Sequence, residues 1–411
     1  MNTASDQPVA QIQHWGALRA AMLVQFAVGG AVIPFVSMLL RDRGLGIAQL
    51  SLIISASSAM LLVVPFFWGM LADRYVPLNR LFILLNLGVC LALAVLATQT
   101  SFWGLLFGFV VYTAFVNPCF TLVNALGFHH LPNPREQFGK LRKWGSVGWI
   151  IPFAPIALWL VWQPKANLNF VLYLGMGICL AMVVLAFWLP HTPPGTQHDA
   201  DNVEEGTLAY WPAVKKLFHD RDYVVLLVAT VLIAGSYSLL MFYSPPFLED
   251  LGVKRCWIGP IQAIGVVFEV ILFIWQAKFL RRLSYTGLIL AGSSALLVRN
   301  AMFSGLSDPW FLSVSFLLAG AFIVFYHTGV SMLVNHMAGR EVRATAQTLL
   351  SICSQGLGPM LANWLAGRLA VAYGNSFRAV FVFATLLAGL ATLLIALNRQ
   401  RLNFAAAREA T

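Results

Sequence analysis

The chain has 411 residues, of which 59% are hydrophobic and 10% are charged, with a formal net charge of +10. Soluble domains carry about 25% charged residues, so this composition excludes an ordinary soluble globular protein. Apolar stretches of about 20 residues, long enough to cross a bilayer as a helix, recur along the whole sequence. They lack the alternation of barrel strands, so the sequence predicts an all-α membrane protein.

Twelve apolar segments are predicted to span the membrane. They cover 16–40, 48–72, 80–98, 101–127, 144–163, 168–190, 222–247, 257–278, 286–305, 309–335, 342–371 and 375–398. The polar stretch between the sixth and seventh segments divides them into two equal halves. The predicted organisation is an N-terminal six-helix bundle at 1–190, a cytoplasmic linker at 191–221, a C-terminal six-helix bundle at 222–398 and a cytoplasmic tail at 399–411.

The lysines and arginines predict the orientation. With the N-terminus inside, 18 of the 26 fall on the inner side of the predicted spans and seven on the outer side, and Arg299 lies within a span. Positive residues favour the cytoplasmic side. We therefore predict a multi-pass protein of the inner (plasma) membrane with both termini cytoplasmic. The surplus positive charge is then a topology signal, and no nucleic-acid partner is expected.

A charged turn follows the second predicted span of each half. The first reads Gly69-Met-Leu-Ala-Asp73-Arg74, and the second reads Lys278-Phe-Leu-Arg-Arg282. Matching turns at matching positions are typical of a duplicated transporter. The first turn resembles the Gly-x-x-x-Asp-Arg signature of the major facilitator superfamily, which implies two pseudo-symmetric six-helix bundles. Gly69, Asp73 and Arg74 are accordingly predicted to form a conformational switch that locks the two halves in one state.

A narrower resemblance lies at the start of the fifth span, in Arg142-Lys-Trp-Gly-Ser146. It is similar to the Arg-x-Trp-Gly-Thr pattern of the nucleoside:proton symporter family and to the Arg-x-Trp-Gly-Ser motif of the related phenylpropionate-type permeases. The resemblance implies substrate-binding roles for Arg142 and Ser146, and it places Glu269 on the family's acidic residue of the eighth span. The family's seventh-span amides are replaced near Ser238 and Met241.

Glu269 also stands out without the resemblance. Of the 16 acidic residues, 15 lie in predicted loops, tails or span edges, and Glu269 alone lies mid-span. A carboxylate at that depth costs at least about 2.5 kcal/mol and needs a cavity, a partner or a proton. We predict that Glu269 couples transport to protons, the alternative being a structural carboxyl group bonded to another helix. His327, mid-way along the tenth span, is a candidate proton relay or a packing histidine.

Three further span residues are candidates for substrate binding. Arg299 is predicted to pair with Glu269 or anchor the substrate, or else to snorkel to the outer interface. Tyr243 and Tyr326 carry aromatic rings that suit stacking on a planar cargo, although most membrane aromatics pack or lie at interfaces.

The leading functional hypothesis is proton-coupled import of a small ring-bearing solute by alternating access, with nucleosides first by resemblance. An aromatic carboxylate or a sugar is the alternative cargo, and a drug or metabolite efflux antiporter is the second alternative. An enzyme is disfavoured because His129-His130 with Glu136, the nearest polar cluster, lacks a metal-ligand or nucleophile partner. The five scattered cysteines predict no metal site. We expect no cofactor beyond the proton gradient, and a monomer whose partners are the small-molecule substrate and the lipid bilayer.

Overall fold

The structure is a computed structural model that describes residues 14–132, 134–164, 166–192, 215, 218–280, 282–338 and 342–407. Its long helices are Trp15–Asp42 (α1), Ile47–Ala72 (α2), Leu78–Thr98 (α3), Phe102–His130 (α4), Gln137–Trp162 (α5), Asn169–Ala186 (α6), Arg221–Asp250 (α7), Arg255–Leu280 (α8), Tyr285–Gly305 (α9), Pro309–Met337 (α10), 343–372 (α11) and Phe377–Leu397 (α12). A short helix, Arg399–Ala407 (α13), follows them. The described regular structure is entirely helical, which confirms the predicted all-α membrane fold of two six-helix bundles.

Helix α11 is more polar than its neighbours. By length and composition, eleven helices of the described chain can span a membrane, and α11 is the long helix outside that set. Its polar side chains bond within the protein, since Asn363 Nδ2 donates to Ser238 Oγ at 2.9 Å and Gln347 Nε2 donates to Asn335 Oδ1 at 2.9 Å. Internal partners of this kind let a polar helix lie among membrane helices.

Most of the predicted linker at 191–221 lies outside the described residues, so the domain boundaries stay a prediction.

Close backbone contacts fix the packing of α1 against α5 in the N-terminal bundle. A methyl group on Gly148 would overlap the carbonyl oxygen of Leu23, and one on Gly30 would overlap that of Trp149. Small residues therefore bring α1 and α5 together backbone to backbone, as is common between membrane helices.

Helix α4 continues through Pro118, which cannot donate the hydrogen bond that the carbonyl of Ala114 would normally accept. The indole Nε1 of Trp68 on α2 donates to that carbonyl oxygen at 3.0 Å instead. This bond satisfies in the membrane a backbone group that the proline leaves free. Helix α4 can then form one wall of the space between the two halves.

Two ion pairs join the two bundles at one side of the molecule, and a third lies beside them within the C-terminal bundle. Arg255 donates to both carboxylate oxygens of Asp42, at 2.9 and 2.6 Å, and to Glu249 at 2.5 Å. Arg41 forms an ion pair with Asp250. We call Arg41, Asp42, Glu249, Asp250 and Arg255 the clasp. Because twelve helices cross in succession, the start of α1 and the end of α12 lie on the same side, which we call the side of the chain ends. The clasp lies at the ends of α1 and α7, on the opposite side.

Further contacts between the bundles lie toward the clasp. Ser55 Oγ on α2 donates to the carbonyl of Met360 on α11 at 2.8 Å. Gly259 at the start of α8 packs against Phe153 in the second half of α5. The molecule is therefore closed on the clasp side.

Replacing Arg255 with alanine should raise the population that is open on the clasp side. The change removes two partly buried ion pairs, of which the one with Asp42 joins the bundles. A loss of about 1 kcal/mol shifts a two-state equilibrium about fivefold. The measurement is the labelling rate of a cysteine placed at Gln262, in a variant without the native cysteines, by an impermeant maleimide added on the clasp side. Arg368→Ala is the matched control, because Arg368 packs over Trp364 instead of joining the clasp. Equal labelling rates in the parent and R255A would show that the clasp does not hold this state.

Candidate functional site

A cavity of about 350 Å³ lies between the two bundles near the middle of the membrane helices. We call it the charged chamber. Its polar lining consists of Arg142, Ser146, Tyr237, Ser244, Gln262, Glu269 and Arg299. Aromatic rings complete its walls, from Phe26, Trp149 and Phe316. A cavity of this size, mainly apolar with a few convergent polar groups, is typical of a small-molecule site.

Glu269 on α8 lies at the centre of this polar set and is 8% exposed. Ser146 on α5 donates a hydrogen bond from Oγ to Glu269 Oε1 at 3.3 Å, so the bond crosses from one bundle to the other. None of the ion pairs found among the described residues includes Glu269. The carboxyl group is thus buried at membrane depth with a hydroxyl partner and a facing cavity, which is the setting of a functional carboxylate in membranes.

The backbone of α10 packs against the backbone of α8 at Glu269 and so positions this residue. Gly320 packs so closely that a methyl group there would lie 2.5 Å from the carbonyl oxygen of Gly265 and 2.7 Å from the backbone nitrogen of Glu269. Both of these atoms are backbone atoms and cannot rotate away. The absence of a side chain at Gly320 therefore sets the distance between α8 and α10.

Two arginines face the charged chamber, one from each bundle, and each lies over a phenylalanine ring. The guanidinium of Arg142 lies 4.3 Å from the ring centre of Phe26, and that of Arg299 lies 4.0 Å from the ring centre of Phe316. Arg299 is 3% exposed, and its Nε has no hydrogen-bond partner among the described residues. The rings supply cation–π stabilisation, and N–H groups remain available to a ligand.

A second cavity, of about 440 Å³, adjoins the first. We call it the neutral chamber. The two chambers share the wall residues Phe26, Arg142, Trp149, Tyr237 and Met241. Beyond that shared wall the neutral chamber extends along α2, α4 and α11. Its further polar lining includes Ser57, Thr113, Asn117, Thr121, Asn124 and Gln355.

The structure brings four of the sequence-predicted residues together in the charged chamber: Arg142, Ser146, Glu269 and Arg299. The sequence predictions of the site did not include Tyr237, Gln262, Phe26, Trp149 or Phe316. Tyr237 and Gln262 are polar groups within spans, a weak signal that many other span residues share. The three aromatic residues carry no signal of their own in a chain with 13% aromatic residues.

Three other candidates lie outside both chamber linings. Tyr243 is fully buried in the core near Phe377, with a ring distance of 6.3 Å. Tyr326 is 2% exposed, and its hydroxyl donates to Thr230 at 3.3 Å. His327 is exposed and follows Tyr326 in a π-helical turn of α10. Their predicted roles remain predictions, and direct contact with a ligand in either chamber would need a rearrangement of these helices.

The predicted switch lies on the side of the chain ends. No atom approaches within 4 Å of a methyl group placed on Gly69, and Arg74 is exposed. The side chain of Asp73 lies outside the described part. The free space around Gly69 and Arg74 is consistent with a molecule that is closed at the clasp and open on the side of the chain ends. The role of these residues as a switch stays a prediction.

Twelve helices in two bundles around a central cavity closed on one side define a multi-pass membrane transporter. The chain belongs to the MFS_1 like family, whose model matches residues 15–384. It is similar to the putative nucleoside transporter YegT of Escherichia coli (strain K12), at 24% identity over 84% of this chain and 82% of that relative. The family and the relatives of the chain are transporters, which shows that it is not an enzyme.

A probable 3-phenylpropionic acid transporter of the same strain is 25% identical, over 82% of this chain and 86% of the relative. Among solved structures, a crystal structure of the nucleoside transporter NupG matches with a TM-score of 0.78 at 18% identity. That match covers 92% of this chain and 96% of the NupG chain, and it shows the shared fold.

Proposed function

We propose that this transporter is a proton-coupled symporter that imports a small ring-bearing solute, with a nucleoside as the first candidate, across the inner membrane. The observation that carries the proposal is Glu269, a buried carboxyl group that lines the charged chamber and bonds across the bundle interface to Ser146. The proposal includes cytoplasmic chain ends, so that the clasp lies on the outer side. The structure then corresponds to a state open to the cytoplasm.

Alternating access supplies the mechanism. When the clasp is open, cargo and a proton enter the chamber from outside, and Glu269 binds the proton. Neutralising the carboxylate lowers the cost of moving it through a closed, dehydrated state. The clasp then forms, the chamber opens to the cytoplasm, and Glu269 releases its proton there. Because its hydrogen bond to Ser146 crosses the interface, a change in protonation acts directly on the contact between the two bundles.

The walls of the charged chamber suit a planar ring. Phe26, Trp149 and Phe316 surround the polar groups, and the volume of about 350 Å³ lies in the range of small-molecule sites. Ser146 and Gln262 offer neutral hydrogen-bonding groups for the edge of a base. Relatives named as nucleoside transporters support a nucleoside as the first cargo to test.

A second candidate cargo is an aromatic carboxylate. Arg142 and Arg299 place two guanidinium groups in the same chamber as one carboxylate. Arginine N–H groups match a planar carboxylate in geometry and charge. The similarity to a probable 3-phenylpropionic acid transporter points in the same direction.

Uptake into membrane vesicles with an imposed pH gradient tests the proposal. Uridine, inosine and phenylpropionate are offered separately, with the outer solution acidic. With a gradient of one pH unit, we expect at least one of them to accumulate up to about tenfold above its outside concentration, because that gradient corresponds to a factor of ten in concentration for one proton per cargo. A protonophore should abolish the accumulation. Uptake that is indifferent to both the gradient and the protonophore would overturn the proposal.

A further inference from the structure

We propose that the neutral chamber is a second subsite of the transport site and recognises uncharged hydroxyl groups of the cargo. The cargo is then a ring compound with a hydroxylated substituent. This inference rests on the proposed function, because it assumes that the two chambers hold a transported solute. It assigns a role to residues of α2 and α4 that the charged chamber leaves unused.

The first observation is a polar stripe on α4. Thr113, Asn117, Thr121 and Asn124 follow one another at spacings of four, four and three residues, so they share one helical face, and all four line the neutral chamber. The stripe is about 16 Å long at 1.5 Å per residue. The helix around it is strongly apolar, with phenylalanine, valine and leucine as its commonest residues. Polar residues at membrane depth face a bundle interior or a water-filled cavity and mark substrate pathways.

The second observation is unused hydrogen-bonding capacity around the stripe. Asn124 Oδ1 and Ser57 Oγ are buried without a hydrogen-bond partner among the described residues. Asn117 Nδ2 donates to the carbonyl of Thr113 at 3.2 Å, within its own helix. Buried polar atoms without partners are costly. A ligand that both donates and accepts hydrogen bonds, as hydroxyl groups do, would satisfy the acceptor on Asn124 and the hydroxyl of Ser57 together.

The charge distribution argues for an uncharged ligand group here. Arg142 is the one charged side chain among the described residues that line the neutral chamber, and it lies on the wall shared with the charged chamber. An anionic group would meet its counter-charges at Arg142 and Arg299, not along α4. The shared aromatic wall of Phe26, Trp149 and Tyr237 can hold a ring, and a hydroxylated substituent on that ring can reach the stripe.

Ligand binding to the purified protein, measured by calorimetry, tests the subsite. Uridine, uracil and phenylpropionate are the probes, since uridine carries hydroxyls on a sugar whereas the other two do not. We expect wild type to bind uridine about tenfold more tightly than uracil. The double variant Asn117→Ala, Asn124→Ala should bind uridine about tenfold more weakly than wild type and bind uracil with unchanged affinity. Thr392→Val is the matched control, because its hydroxyl bonds to the Ala388 carbonyl on α12, outside both chambers.

The outcomes separate this inference from the proposed function. If the double variant lost affinity equally for uridine and uracil, or for neither, the neutral chamber would be a passage without recognition. Either result would overturn the subsite. Binding of phenylpropionate without binding of uridine would also overturn it, while proton-coupled uptake of an aromatic acid would still stand. Loss of proton dependence in vesicles with intact hydroxyl discrimination would overturn only the proposed function. If the double variant does not fold, the near-isosteric Thr121→Val carries the same expectation with a smaller effect, of about threefold.

Discussion

Replacing Glu269 with glutamine is expected to abolish gradient-driven accumulation of cargo, from up to about tenfold to about onefold the outside concentration, while exchange of cargo across the membrane continues. Glutamine has nearly the size of glutamate and keeps an oxygen that can accept the bond from Ser146. It cannot bind and release a proton. Transport would then follow the cargo gradient alone. Uptake under an imposed pH gradient measures accumulation, and counterflow without a gradient measures exchange.

Asp308→Asn is the control for this substitution. Asp308 is exposed and caps the start of α10 by accepting a bond from the Trp310 backbone nitrogen at 2.8 Å, which asparagine can replace. The Asp308→Asn variant should therefore accumulate cargo as wild type does. Accumulation by E269Q at the wild-type level would contradict a coupling role for Glu269. If E269Q lost both counterflow and accumulation, Glu269 would instead be assigned to cargo binding.

Gly320→Ala is expected to reduce uptake at least tenfold. The added methyl group would meet the carbonyl oxygen of Gly265 and the backbone nitrogen of Glu269, at 2.5 and 2.7 Å. Since backbone atoms cannot rotate away, α8 must move relative to α10, and Glu269 moves with it. A displacement of about 1 Å at a reacting or binding group can cost about a hundredfold in rate. Initial uptake rates, normalised to the amount of protein in the membrane, measure the effect.

The matched control is Gly177→Ala on α6, where nothing lies within 4 Å of the added methyl group. Both substitutions raise helix propensity equally, so they differ only in the contact that the methyl group makes. Gly177→Ala should leave uptake unchanged. If Gly320→Ala transported as well as Gly177→Ala, the close packing of α8 on α10 would not position Glu269.

Sequence alone could predict the helical membrane fold because long apolar runs are unambiguous in lipid. It could also predict the charged members of the site. Glu269 and Arg299 are conspicuous because they lie in apolar spans, and Arg142 with Ser146 belongs to a recognisable local pattern. A single charge at membrane depth needs a reason, and the charged chamber supplies that reason for both spanning residues.

The aromatic members of the site could not be predicted in the same way. Tyr237 lines the charged chamber whereas Tyr243, six residues later on α7, is buried in the core. Six residues rotate a helix by about 240°, so the two rings point to different faces. Most of α7 is buried on all sides, so its sequence has no polar face to show which direction leads to the cavity.

The clasp was equally hidden in the sequence. Arg41, Asp42, Asp250 and Arg255 look like ordinary charges at the ends of predicted spans. Only the packing of the two bundles, over about 200 residues of chain, brings Arg255 to Asp42. Ion pairs between distant segments depend on the tertiary fold, and no local pattern reports them.

Proton movement during transport tests the central claim most directly. Purified protein is reconstituted into liposomes that contain a pH-sensitive dye, with no imposed pH gradient, and cargo is added outside. We predict acidification of the interior in step with cargo entry for wild type, and cargo entry without acidification for E269Q. Cargo entry into wild-type liposomes without any change of internal pH would contradict proton-coupled symport.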